Sequence, residues 1–120
     1  MKLKITRIID VGNKEKERIV LKALDDVNVG SYVIFKSKKI GETMVSNIIP
    51  YTFWFKDQQV KKNDLVVVYT KTGIPKSILN ATGNTSHFFY WNQNNFILNN
   101  DNDAIVLLNV NEWNLKFVKE

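Results

Sequence analysis

The chemistry available to this chain is narrow. His87 is its one histidine, it follows Ser86, and no cysteine is present. A serine beside a histidine suggests nucleophilic hydrolysis, but neighbours on a strand point to opposite faces. A triad would need a distant serine and an acid brought in by the fold. The expectation is therefore a histidine at a strand start, hydrogen-bonded at the rim of the fold. One histidine and no thiolate leave only scattered carboxylates for a transition metal. Asp101 and Asp103, with the carbonyls of Asn99, Asn100 and Asn102, could offer oxygen ligands to calcium. The EF-hand pattern fails there, lacking its central glycine and terminal glutamate, and an ordinary Asn/Asp turn is the plainer reading. Asp10, Glu42, Asp57, Asp64 and Glu112 could supply a glycosidase pair, yet nothing in their spacing sets a distance. No glycine-rich phosphate loop exists. The expectation is a protein that is not an enzyme and takes no cofactor or metal.

The aromatic residues carry more information. There are fourteen, and seven fall in two tracts, Phe53-Trp54-Phe55 and Phe88-Phe89-Tyr90-Trp91. Strand alternation puts Phe53 and Phe55 opposite Trp54, and Phe88 and Tyr90 opposite Phe89 and Trp91. The outward rings are either covered by long loops or left as a patch. The candidate binding surface is Trp54, Tyr90 and Trp91 with the Thr70–Ser86 loop, since Trp and Tyr are favoured anchors for a protein partner. Lys56, Lys61 and Lys62 nearby would also suit single-stranded nucleic acid, by stacking and phosphate contact. Nucleic acid is the alternative partner.

Charge gives that alternative little help. Fifteen Lys and two Arg against twelve acids leave a net +5, and the excess is spread along the chain. Nucleic-acid binders cluster their cations and favour arginine for bidentate contacts. Solvated loop lysines are the simpler account. No run of eighteen apolar residues marks a membrane-spanning helix. Met1–Thr6 carries no apolar leader core, and the triplets Asn80-Ala81-Thr82 and Asn84-Thr85-Ser86 read as chance among fifteen asparagines. A cytoplasmic location is expected.

These residues must be positioned by strands. Leu3 and Ile5 alternate with lysines until the register breaks at Ile8-Ile9. Ile19, Leu21 and Ala23 share a face, and Tyr32–Phe35, Phe53–Phe55, Leu65–Tyr69, His87–Trp91 and Ala104–Leu108 follow. Trp113, Leu115 and Phe117 close the chain with the same period. Asn99–Asp103 separates Phe96-Ile97-Leu98 from Ala104–Leu108 in the manner of a hairpin. No segment shows a sustained helical period. Residues 1–120 therefore read as one all-β domain, an immunoglobulin-like antiparallel β-sandwich of roughly eight or nine strands. Its expected core is Ile19, Leu21, Tyr32, Ile34, Phe53, Phe55, Leu65, Val67, Ile105, Leu107, Trp113 and Leu115.

The order of these motifs resembles lamin-tail domains. Glu17–Lys22 followed by Asp25-Asp26 looks like that family's opening strand and turn. Phe53–Asp57 with Lys62–Val68 looks like its next hairpin. Leu98–Leu107, a Leu-Asn turn and an Asp before alternating aliphatics, resembles its most recognisable stretch. Tyr32 stands where the family usually has tryptophan. The resemblance covers about residues 17–110. It implies an immunoglobulin-like sandwich used for interaction, with no catalytic residues to transfer.

Overall fold

Alternation is strongest in the central strands, and the fold is built outward from them. The computed structural model describes residues 1–99 and 101–119. Its strands are β1 (Leu3–Ile9), β2 (Arg18–Ala23), β3 (Val27–Asn28), β4 (Tyr32–Lys38), β5 (Tyr51–Trp54), β6 (Gln59–Val60), β7 (Leu65–Tyr69), β8 (Lys76–Leu79), β9 (Thr85–Tyr90) and β10 (Asp103–Asn109). A 3-10 turn, Val29–Ser31, precedes β4. The protein is all-β.

A five-stranded sheet has the order β1-β2-β7-β9-β8, a three-stranded sheet β10-β4-β5, and β3 pairs with β6. Ten strands among the described residues exceed the expected eight or nine. The additions are short: β3 and β6 have two residues each, and β8 lies inside the segment read as the Thr70–Ser86 loop. The pairing is also not wholly antiparallel, because β7 and β9 run parallel. Parallel neighbours need a crossover of a dozen or more residues, usually a helix. Here residues 70–84 supply it and lay down β8 as an edge strand on the far side of β9.

The broken period at Ile8-Ile9 has a cause. The β1–β2 register shifts between Ile5 and Arg7, leaving Thr6 as a bulge whose Oγ1 donates to the Val20 carbonyl at 3.0 Å. The extra residue keeps both Ile5 (opposite Leu21) and Ile8 (opposite Ile19) on the inner side.

Both larger sheets feed one core. Leu3, Ile19, Leu21, Ala23, Val66, Val68 and Phe89 meet Tyr32, Ile34, Phe55 and Val60 there. Phe53, Ile105 and Leu107 pack against this cluster while half-buried. Four expected core positions fall elsewhere. Leu65 is half-buried, and Val67, opposite Val20, is buried on the outer side of its sheet. Trp113 and Leu115 are 64% and 61% exposed, since residues 110–118 form no strand despite their alternation. The expected hairpin into β10 is absent as well. β10 pairs with β4, while the N–H groups of Ile97 and Leu98 donate to the Glu17 carboxylate.

Candidate functional site

Trp54 is the outward ring of the first aromatic tract, at the free edge of the three-stranded sheet. Its Nε1–H donates to the Gly30 carbonyl at 2.9 Å, which fixes the indole plane. Trp113 meets it edge-on, with centroids 5.1 Å apart and planes at 86°. Behind it, Phe53 packs on Phe55 at 5.1 Å and on Trp91 at 5.9 Å. Between β5 and β9 lies a cavity of about 190 Å³ walled by Phe53, Trp54, Lys56, Pro75 and Tyr90, with Gly73 at its side. A side chain at position 73 would place its Cβ 2.4 Å from the Tyr90 ring, so only glycine allows the loop this close.

The structure brings Trp54, Lys56 and Tyr90 together. It does not bring the rest of the expected surface with them. Trp91 is 5% exposed and belongs to the core. Tyr90 and Trp91 are consecutive, so a strand cannot present both to one surface. Lys61 and Lys62 line a separate hollow with Asn63, Asp64 and residues 82–85. Lys61 lies 3.9 Å from Asp26, whose carboxylate also accepts the Lys62 N–H at 2.9 Å.

His87 is buried and fully engaged. Its Nε2 meets Asp64 Oδ2 at 2.9 Å, and its Nδ1 meets Ser77 Oγ at 2.8 Å and Gln58 Nε2 at 2.9 Å. Sequence reasoning missed Ser77 and Gln58, which come from β8 and from the segment before β6. Serine, histidine and aspartate thus form a hydrogen-bonded chain. Asp64 is ionised and can only accept, which puts the proton on Nε2 and leaves Nδ1 with one lone pair. The Gln58 amide and the Ser77 hydroxyl both lie within hydrogen-bond distance of that nitrogen. The arrangement ties the β8 edge and the β6 segment to the sheet.

Two carboxyls are set below their ordinary range. Burial pushes Asp64 up, but hydrogen bonds from His87 and from the Lys61 and Thr85 N–H groups more than offset it. Burial likewise raises Asp103, and the Asn99 N–H with Lys38 and Lys36 more than offsets that. Lys38 and Lys36 lie 3.1 and 3.4 Å from its oxygens. At the turn considered for calcium, the Asp103 oxygens hold two ammonium groups and Asp101 is exposed. Asn100 lies outside the described residues.

A carboxyl depressed in the folded state adds stability above its unfolded pKa, which is lost as pH falls through the folded value. Urea midpoints should therefore be flat from pH 7 to about 5 and fall below about 4. Asp64→Asn with Asp103→Asn should lower the plateau and flatten the acid limb. An acid limb unchanged in the double variant would place the titrating groups elsewhere.

No protein-family model matches the chain, and no curated protein matches it. Among the described residues no helix is long and apolar enough to cross a membrane.

Proposed function

We propose that this chain is an immunoglobulin-like β-sandwich of the lamin-tail kind, acting in the cytoplasm as a non-enzymatic interaction module. Its partner is a protein whose anchor side chain enters the cleft between Trp54 and Tyr90. The two sheets facing one core support the sandwich, and the sequence order of Leu98-Asn99, Asp103 and the alternating aliphatics of β10 supports the resemblance. The observation that carries the function is the size and lining of the cleft. Small-molecule and cofactor sites run to roughly 300–1,000 Å³. About 190 Å³ with aromatic walls is too small for a nucleotide or flavin and matches a single large side chain. Lys56 at the rim disfavours a cationic anchor and favours an aromatic or proline followed by a carboxylate.

Peptides selected from a random display library should share such an anchor. Trp54→Ala should bind them at least about tenfold more weakly, the cost of losing one aromatic anchor. Its stability should fall only by about 1 kcal/mol, the loss of the hydrogen bond to Gly30. Selected peptides that bind Trp54→Ala unchanged would end this reading.

A second reading, contact with nucleic acid, is favoured by one observation on another face. Both arginines of the chain lie on the outer side of the five-stranded sheet.

A further inference from the structure

We infer that the outer face of the five-stranded sheet binds single-stranded nucleic acid through its phosphates. This rests on the second reading above and gives it a location that differs from the expected one around Trp54, Lys61 and Lys62.

The register assembles the face. With Leu3, Ile5, Leu21, Val66 and Phe89 turned into the core, their neighbours form rows across the outer side. One row is Lys4, Lys22, Leu65, Ser86 and Ile78. The next is Arg7, Val20, Val67, Phe88 and Lys76. The third is Ile9, Arg18, Tyr69 and Tyr90. Cations that lie far apart in the sequence are brought together by pairing, which is why the chain's charge looks diffuse when read linearly.

Ring contacts hold the heads of Arg18, Lys71 and Lys76. Tyr69 stacks on Tyr90 at 5.7 Å and on Phe88 at 6.4 Å. Arg18 lies over the Tyr69 ring at 5.6 Å, Lys71 over the same ring at 5.1 Å, and Lys76 over Phe88 at 5.9 Å. Val20 and Val67, in the middle row, are buried on this face. Lys76, already ordered by its ring contact, loses less freedom on binding than a solvated lysine does.

The charge balance selects the partner. Lys4, Arg7, Arg18, Lys22, Lys71 and Lys76 face two carboxylates: Asp10, bound to Arg18 at 2.9 Å, and Glu15, 3.8 Å from Lys71. Four cations are left to a ligand. They extend from β1 to β8, a width of about 19 Å at about 4.8 Å per strand. No small anion reaches across that distance, so the partner is a polyanion. The rings favour a strand with unpaired bases, which can pack beside the half-buried Tyr69 and Phe88.

The experiment is a salt titration of binding to a fluorescent single-stranded oligonucleotide. Four phosphate contacts predict a slope of log Kobs against log salt of about −3, since each contact on a single strand adds about −0.7. Arg7→Gln with Lys22→Gln should reduce its magnitude by about 1.4, and Lys61→Gln with Lys62→Gln should leave it unchanged. Circular dichroism should show that each variant is folded. No binding by the unaltered protein at low salt would overturn the nucleic-acid reading itself. Binding whose slope ignores Arg7 and Lys22, or falls equally with Lys61 and Lys62, would overturn the assignment to this face alone. Binding to anionic vesicles or acidic peptides without oligonucleotide binding would overturn both.

Discussion

Glu17→Ala should cost this protein about 4 kcal/mol or more of folding stability, from a total of about 5–15 for a domain of this kind. Glu17 is wholly buried. One carboxylate oxygen accepts the Gly12 N–H at 2.9 Å and the Leu98 N–H at 3.3 Å; the other accepts the Thr70 hydroxyl at 2.8 Å and the Ile97 N–H at 3.0 Å. Three chain segments meet on this one side chain: the turn before β2, the end of β7 and the approach to β10. Alanine leaves four donors without an acceptor, and each buried unsatisfied group costs about 1–3 kcal/mol. Relaxation and entering water recover part of that sum. Glu17→Gln keeps one acceptor oxygen and turns an N–H toward donors, so it should fall between the two. Urea denaturation measures both. A loss under about 1 kcal/mol for alanine would mean that the segments hold together without the carboxylate.

Trp91→Ala should be nearly as damaging, with about 3–5 kcal/mol lost and a Tm lower by about 15 °C. Trp91 packs on Phe53 inside the shared core, and its removal opens a cavity between the sheets. Trp54→Ala removes a ring that is 48% exposed and one hydrogen bond to Gly30, worth about 1 kcal/mol. Thermal denaturation of the two variants side by side separates an indole that builds the core from one that offers a surface. Equal losses would contradict the burial difference on which the cleft at Trp54 depends.

The two tryptophans also mark where reading the chain succeeded and where it stopped. Alternation placed Phe89 with Trp91 and Phe88 with Tyr90 on opposite sides, and the structure agrees. It could not say which side would be buried, and grouping Trp91 with Tyr90 as one surface was the resulting error. Residues 113–118 show the same limit. Their period matches that of β10, yet Trp113 stays outside and rests on Trp54. The Asn/Asp stretch before β10 was legible as a turn, but its partner strand was not, because β4 lies more than sixty positions away: Asp103 pairs with Lys38. The His87 cluster was legible only in part. A hydrogen-bonded histidine at a strand start was expected, whereas Asp64, Ser77 and Gln58 reach it from three separate segments.

Period-two patterning and the Asn, Asp and Gly turns determine the all-β class unaided, because they follow from backbone geometry within a few residues. Tertiary structure alone decided the parallel β7–β9 pair, the burial of Trp91, the Glu17 clamp and the cationic rows on the outer sheet face. Each joins groups far apart in the chain, as Glu17 and Leu98 are, 81 positions from one another. Local preference carries no information about such partners: burial and hydrogen-bond satisfaction are settled by whichever distant segment arrives to cover a side chain or to donate to it.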